Sequence, residues 1–133
     1  MREFHLQIAT PDGLAFDGEA ESLLIRCETG DVEILSGHAD FLASIGTGRA
    51  RLLIDGKPRY ASVSGGFVSV SEGVTRVVAI TFEFAEQIDV RRAKEAKERA
   101  EAALARAGGE REELVAKAKL ARAISRINVA ELL

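Results

Sequence analysis

Residues 86–100 read EQIDVRRAKEAKERA, and they mark the point where one kind of structure gives way to another. Up to Phe84 apolar and polar residues alternate as in strands, whereas after Asp89 alanines recur every three or four residues, as on one face of a helix. Asp89 is predicted to cap the N-terminus of that helix. Arg91 and Arg92 then fall in its first turn, where the helix dipole disfavours cations by about 0.3–1 kcal/mol each. The stretch is therefore either an ordinary helix start with solvated charges or a place arranged for an anion.

Residues 1–86 are predicted to form an antiparallel β-sandwich. They contain most of the 12 glycines, both prolines and all six phenylalanines. Short alternating segments are separated by turn signals, such as IDGKP at 54–58, at intervals of about 8–12 residues, which favours eight or more strands. Gly65 and Gly66 interrupt one alternating segment and predict either a bulge or a close approach of two backbones.

Residues 87–133 are predicted to form an antiparallel α-helical hairpin, with Gly108–Gly109 as the connection between its two helices. The fold class is therefore α+β, a two-part chain with a β-sandwich followed by a helical hairpin. The seam of the first helix is predicted at Ala93, Ala96, Ala100, Ala103 and Ala107. The seam of the second is predicted at Leu114, Ala118, Ala121 and Ser125, flanked by Leu120, Ile124 and Ile127.

The alanine seam permits two interpretations. Alanines let helices approach closely, but each missing CH₂ forfeits about 0.8 kcal/mol of burial relative to a larger side chain. The hairpin is either a small, tight unit packed on the sandwich or an element that opens, because closing it gains little and a ligand or partner can shift the balance.

Composition and charge restrict the classes of function. With 133 residues, 47% of them hydrophobic, the chain is predicted to be globular, and a net charge of −3 disfavours a general binder of nucleic acid or anionic membrane. The single cysteine, Cys27, excludes an internal disulfide and a cysteine-cluster zinc site, and two histidines are too few for a histidine metal cage. No Sec signal is visible in MREFHLQIATPDG at 1–13, and no apolar run approaches the ~20 residues of a membrane span. We expect a soluble protein in a reducing compartment, linked to a membrane only indirectly.

No segment predicts catalysis. GTGRA at 46–50 lacks the lysine and the strand–loop–helix setting of a phosphate-binding loop. The segment ILSGHADFL at 34–42 presents His38 between two strands, but nothing places a nucleophile and a base together there. This loop is either a structural turn with a hydrogen-bonded histidine or a contact loop for a partner protein.

Arginines are expected to converge where the first helix begins. If the hairpin turns at Gly108–Gly109, Arg92 faces Ser125, with Arg126 beside it and Arg122 one turn away. Clustered guanidinium groups need an anion, which is either a local carboxylate or a phosphate, whose geometry they match well. The carboxylates nearest in sequence are Glu83, Glu86, Asp89 and Glu95.

At this point the residues resemble a known family, the epsilon subunit of bacterial and chloroplast F-type ATP synthases, along essentially the whole chain. The segments that carry the resemblance are TPDGLAFDGEAES (10–22), GDVEILSGHADFL (30–42), YASVSGGFVSV (60–70) and AEQIDVRRAKEAKERAEAAL (85–104).

The resemblance implies a non-catalytic subunit of the rotating central stalk, peripheral to the cytoplasmic face of the plasma membrane. Residues 1–86 would dock on the gamma subunit and on the cytoplasmic loops of the c-ring. Residues 87–133 would be regulatory: when folded, the hairpin permits turnover, and when extended it contacts the α/β catalytic head and inhibits ATP hydrolysis. The residues implied in stalk and c-ring contact are Asp31, Gly37, His38 and Ala39.

The resemblance also implies ATP as a regulatory ligand, with no cofactor required. Ile88, Asp89, Arg92 and Ala93 match the family's I/L-D-x-x-R-A motif, which holds the hairpin folded when ATP is bound. The implied ATP-binding residues are Glu83, Ile88, Asp89, Arg92, Ala93, Arg122 and Arg126.

The chain departs from the family in two segments. Ser36 and Asp40 replace prolines of the contact loop, and AITFEFAE at 79–86 replaces the usual segment before the helices. The alternative from another class is a free-standing nucleotide-sensing or adaptor module with no rotary partner, and binding to gamma distinguishes the two.

Overall fold

The computed structural model describes residues 2–133 as seven strands followed by two helices, so the predicted α+β fold class, a β-sandwich and then a helical hairpin, is confirmed. The elements are β1 (Phe4–Thr10), β2 (Gly13–Ala20), β3 (Ser22–Cys27), β4 (Gly30–Leu35), β5 (Phe41–Ile54), β6 (Lys57–Ser71), β7 (Val74–Phe84), a short 3-10 helix (Ala85–Gln87), α1 (Val90–Ala105) and α2 (Glu110–Ala130).

The strands form one sheet that closes over its own core. Their order is β2-β1-β7-β6-β5-β3-β4, and every neighbouring pair is antiparallel except β1 with β7, which is parallel. The corner between β2 and β3 meets the end of the β5–β6 hairpin, where the Glu21 N–H donates to the Leu53 carbonyl at 2.8 Å and a Glu21 carboxylate oxygen accepts from the Gly56 N–H at 2.5 Å. Large aliphatic side chains with no exposed surface fill the interior: Leu6, Ile8, Leu23, Ile25, Ile34, Leu52, Val63, Val68 and Val77.

The prediction of eight or more short strands was wrong. FLASIG (41–46) and ARLLI (50–54), which read as separate segments, belong to the 14-residue strand β5, and RYASVS (59–64) and GFVSVS (66–71) belong to the 15-residue strand β6. Gly65 and Gly66, which interrupt one alternating segment of the sequence, lie inside the continuous strand β6. Gly66 has φ +95°, and a Cβ at this position would lie 1.8 Å from the Val78 carbonyl oxygen. The pairing of β6 with β7 keeps one register on both sides of this glycine, so the predicted close backbone approach is present and the alternative, a bulge, is not.

The hairpin begins and turns where the sequence predicts. Asp89 caps α1, its Oδ1 accepting a hydrogen bond from the Arg92 N–H at 3.1 Å. Helix α1 ends at Ala105, and Gly109 is the N-cap of α2. Helix α2 packs on β5 and β6 and on α1, so it lies between the sheet and the first helix.

The predicted seam of α2 was wrong. Leu114 is 62% exposed, and Ala118 and Ala121 are exposed as well. Helix α2 is covered on two sides, so it carries two apolar faces, and periodicity alone does not select which one meets α1. Ser125 and Val129 are buried toward the sheet. Ala116, Leu120, Ala123 and Ile127 are buried or half-buried at i, i+4, i+7, i+11 spacing, so we assign this second face to the contact with α1.

Candidate functional site

A polar cleft opens between the start of α1 and the end of β7. It has a volume of about 410 Å³, inside the range of about 300–1,000 Å³ typical of small-molecule sites. Three of its lining side chains are arginines and three are acids. The lining residues are Glu83, Asp89, Arg92, Ala93, Glu95, Ala96, Arg99 and Arg126.

The segment that leads into the cleft is fixed by Arg59 of β6. Its Nε and Nη2 donate to one Glu86 carboxylate oxygen at 2.8 and 2.6 Å, and its guanidinium carbon lies 3.5 Å from the centroid of the Phe84 ring. Partial burial raises the pKa of Glu86, but hydrogen bonds from its own backbone and from Arg59, together with the Arg59 charge, leave that pKa below its ordinary value. The Phe84 N–H also donates to the Gln87 side chain at 3.1 Å. The chain is therefore held to the sheet as far as Gln87, and Ile88 and Asp89 connect it to α1.

The carboxylates near the cleft already have partners. Glu95 pairs with Arg91 at 3.3 Å along α1, and Glu86 pairs with Arg59. The Nε of Arg126 lies 3.0 Å from Oε1 of Glu83, yet this oxygen is shielded from solvent and receives no hydrogen bond. We take this contact as an ionic attraction across the cleft, because its angle is too poor for a hydrogen bond. The pair joins β7 to α2.

Among the hairpin arginines that line this cleft or its continuation along the helix pair, three have no described carboxylate partner. Within residues 2–133, none of the ion pairs includes Arg92, Arg99 or Arg122. Like charges held close together repel unless an anion lies between them, so these guanidinium groups favour a phosphate or carboxylate ligand. The sequence left two anions open as partners for the arginines, a local carboxylate or a phosphate. Local carboxylates pair with Arg91 and Arg126 but not with these three arginines.

A second cleft of about 410 Å³ continues from the first along the helix pair. It contains four cationic side chains and no acid, and it shares Ala96, Arg99 and Arg126 with the first cleft. Arg122 lines this second cleft and not the first, whereas Arg92 lines only the first. The full lining is Ala96, Arg99, Ala100, Ala103, Lys119, Arg122 and Arg126.

Sequence reasoning missed Arg99, one of the three residues that line both clefts. The signal was available, because Arg99 follows Arg92 by seven residues and therefore lies on the same face two turns later. Ile88, in contrast, is half-buried and does not line either cleft.

The loop expected to contact the stalk and c-ring lies between β4 and β5. Gly37 has φ +84°, which supports the turn. One ring nitrogen of His38 is 2.7 Å from the Ala39 carbonyl oxygen, and its ring packs edge-on against Phe41 with centroids 5.5 Å apart. Asp31 lies apart from this loop on β4, exposed and 3.2 Å from Arg26. These contacts give His38 a structural role in the loop and leave a partner contact as a prediction.

A second surface, which sequence reasoning missed, is the apolar patch formed by Leu42, Phe67, Val78 and Ile80. These side chains are 71%, 44%, 41% and 67% exposed. They share the outer face of β5, β6 and β7, because Phe67 pairs with Ser44 on one side and with Val78 on the other. Contiguous exposed apolar surface of this kind makes the patch a candidate protein interface. The apolar residues at outward positions of these strands were the available signal.

Two classes of feature do not occur in the part of the chain that the structure describes. No grouping of His, Cys, Asp and Glu side chains within residues 2–133 could hold a metal ion. Across the same residues, no helix combines the length and the apolar content that crossing a bilayer requires.

Comparisons with known proteins agree along the whole chain. The family model for the ATP synthase delta/epsilon chain beta-sandwich domain matches residues 3–85, and the model for the long alpha-helix domain of the same chain matches residues 86–131. The ATP synthase epsilon chain of Ruminococcus albus is 39% identical over 131 residues, which cover 98% of each chain.

Two solved structures share the fold. One chain of the Euglena gracilis mitochondrial ATP synthase (OSCP/F1/c-ring, rotational state 1) superposes with a TM-score of 0.82 at 22% identity, covering 98% of this chain and 82% of that one. One chain of the Tetrahymena thermophila mitochondrial ATP synthase central stalk/c-ring superposes with a TM-score of 0.56 at 10% identity, covering 98% of this chain and 96% of that one. Because each half of the chain matches its own domain model and the relative matches end to end, the chain belongs to the family of bacterial F-type ATP synthase epsilon chains.

Proposed function

We propose that this chain works in the rotating central stalk of an F-type ATP synthase, with the sandwich as the docking part and the hairpin as a movable regulator that ATP holds folded. The chain itself is non-catalytic. One observation carries the regulatory part of this proposal. The guanidinium groups of Arg92, Arg99 and Arg122 lie along one continuous cleft and have no carboxylate partner within residues 2–133.

The cleft fits a nucleoside triphosphate in size and charge. Guanidinium forks bind phosphate oxygens in pairs, and the first turn of α1 adds backbone N–H groups that favour an anion. Arg92 comes from α1 and Arg126 from α2, so phosphates bound between them would cross-link the hairpin. Asp89 shapes the site by capping α1, and Ala93 leaves room at the cleft wall. When bound, ATP supplies an anion to this pair of helices, and its hydrolysis is not required.

Docking is proposed for two surfaces of the sandwich. The apolar patch offers a face for the gamma subunit, because removing Leu42 and Ile80 from water would stabilise a complex by the burial of their side chains. The loop with Gly37, His38 and Ala39, together with Asp31, is proposed to meet the cytoplasmic loops of the c-ring. The complex would lie at the cytoplasmic face of the plasma membrane, with the extended hairpin reaching the α/β catalytic head.

Thermal unfolding of the full chain with and without ATP tests the nucleotide site. Binding at 100 times Kd should stabilise the folded state by about 2.7 kcal/mol. Arg92→Ala should abolish the shift. Arg91→Ala is the matched control: Arg91 belongs to the same helical turn, its side chain is 89% exposed and it lines neither cleft, so the shift should remain. No shift of the unmodified chain at millimolar ATP would refute the nucleotide part of the proposal.

Removal of residues 88–133 tests the regulatory part in the assembled enzyme. We expect the shortened chain to assemble with gamma, because the sandwich keeps both docking surfaces. We expect ATP hydrolysis to rise, because the hairpin that would reach the catalytic head is gone. Unchanged hydrolysis would remove the inhibitory role but leave the coupling role. Failure of the full chain to bind gamma would instead support the free-standing adaptor.

A further inference from the structure

Ser125 is a buried polar residue of α2 that belongs to neither of the clefts. It is 8% exposed and points at the sheet, where its hydroxyl donates to the Gly48 carbonyl of β5 at 3.0 Å and lies 2.7 Å from the Ser62 hydroxyl of β6. A serine has one proton to donate. Because that proton goes to Gly48, the hydrogen bond between the two hydroxyls must run from Ser62 to Ser125. One helix residue is thereby tied to two neighbouring strands.

Because the apolar contacts around Ser125 are incomplete, these hydrogen bonds determine the rotation of α2 on the sheet. A groove of about 520 Å³ runs along the boundary between β5 and α2, with Ile124, Val129 and Leu132 on its wall. Ile124 is 38% exposed and Leu132 is 41% exposed, so apolar packing on this side of the helix is incomplete. Loose apolar contacts do not select one rotation of a helix, whereas a donor and an acceptor with fixed partners do.

We propose that Ser125 is a positioning residue, a hydroxyl latch that sets the rotation of α2 on the sheet and thereby aims Arg122 and Arg126 into the clefts. Arg126 is its neighbour in sequence and Arg122 lies one turn earlier, on the side of the helix between the sheet and α1. The part of this inference that concerns ligand affinity rests on the proposed nucleotide site. The part that concerns docking of α2 stands without it.

The chemistry of the latch suits an element that leaves and returns. When α2 is released, water replaces both hydrogen bonds, and Ser62, Ser125 and Gly48 are all satisfied in the open state. A valine at position 125 would hold the helix by burial alone and would specify no partner. The hydroxyl latch therefore makes docking specific without making it irreversible.

Hydrogen exchange of the full chain without nucleotide tests the latch. In Ser125→Ala and in Ser62→Ala, protection of the α2 amides should fall roughly 3- to 10-fold, while the amides of β1 and β7 stay unchanged. The double variant should lose no more than Ser125→Ala, because the hydrogen bond that Ser62→Ala removes is already lost in Ser125→Ala. Ser71→Ala is the matched control, since Ser71 belongs to β6 and is exposed. Unchanged α2 protection in Ser125→Ala would overturn the proposal.

ATP affinity measured by titration provides the second readout. Ser125→Ala should weaken it several-fold, and Ser125→Thr, which keeps the hydroxyl, should restore it. Lowered α2 protection with unchanged ATP affinity would refute the positioning role. If the unmodified chain binds no ATP, the proposed function fails, and the exchange experiment still decides whether the latch exists.

Discussion

The sandwich and the hairpin differ in what holds them together. The sandwich core consists of large aliphatic side chains with no exposed surface, such as Leu6, Ile8 and Leu52. The contact between α1 and α2 is made largely by alanines: Ala93 and Ala100 are the buried residues of α1. Burying a leucine in place of an alanine gains about 0.8 kcal/mol for each CH₂ group. The two parts therefore have unequal stability within a single chain.

This difference supports the proposed division into a fixed docking part and a movable hairpin. Local opening follows the regions with little buried apolar area, and whole-chain unfolding follows the core. The proposed release of the hairpin would leave the sandwich folded, because α2 contacts β5 and β6 through the hydrogen bonds of Ser125 and an apolar boundary at which Ile124 and Leu132 stay partly exposed. A regulator that moves on a rigid docking part needs this distribution. The following changes test it, from the largest expected effect to the smallest.

A core substitution in the sandwich should have the largest effect. Leu6→Ala should lower the free energy of unfolding by about 2–5 kcal/mol, since it leaves a cavity at a fully buried site. Urea denaturation measures this. The same change at Leu114, which is 62% exposed on α2, should alter stability by no more than about 0.5 kcal/mol. Equal losses at the two sites would mean that the parts do not differ as described.

Overpacking the helix seam should have an intermediate and local effect. Ala123 is 1% exposed, so Ala123→Leu should destabilise the hairpin by about 1–3 kcal/mol while leaving the sandwich unaffected. Hydrogen exchange resolved along the chain separates the two parts. Ala118→Leu places the same side chain at an exposed position of α2 and should be nearly neutral. Loss of protection in β1 or β6 would contradict independent opening.

Removing the cap of α1 should have a smaller effect. Asp89→Ala should destabilise the start of α1 by about 0.5–2 kcal/mol, because the Arg92 N–H loses its acceptor. Circular dichroism at increasing temperature measures the helix content. Asp89→Asn keeps an acceptor and should retain the helix, so any loss of ATP binding in that variant would report the charge of Asp89 rather than its cap.

The smallest expected effect is the pH dependence of the Arg59–Glu86 pair. The pKa of Glu86 is lowered from 4.5 in the folded chain, so its stabilisation is present above pH 4.5 and is lost as pH falls through the lower folded pKa. The pair is partly exposed, which limits the contribution to about 1 kcal/mol or less. In Glu86→Gln, the free energy of unfolding should lose this part of its fall below pH 4.5 and should be only slightly lower at neutral pH. Urea denaturation at a series of pH values measures both. An unchanged acid profile would indicate that the pair contributes nothing.

Local patterns in the sequence predicted the fold class, the capping of α1 by Asp89 and the turn at Gly108–Gly109. They failed where tertiary contacts decide. Gly66 was expected either to bulge or to allow a close approach, and only the position of Val78 on the neighbouring strand selects the second. The face of α2 that meets α1 was misassigned because the sheet covers a second apolar face of the same helix.

The candidate site was predicted only in part. Antiparallel pairing of the helices, counted outward from Gly108–Gly109, placed Arg92 and Arg126 together, and both line the first cleft. That reasoning considered only one level of the hairpin, so Arg99, two turns further along α1, was omitted. The apolar patch was also missed, because a single strand does not reveal that its outward residues have apolar neighbours on the adjacent strands.

The parallel pairing of β1 with β7 affects the order in which the chain folds during synthesis. His5 pairs with Val74 and Ala9 with Val78, so β1 gains this neighbour only after nearly the whole sandwich has been made. Such distant pairing slows folding, because a long loop must close before the contact forms. Ser62 and Gly48 are synthesised before α2, whose Ser125 comes last. All strands of the surface that receives the helix are therefore synthesised before the helix, and we expect the hairpin to dock on a sheet that has already formed.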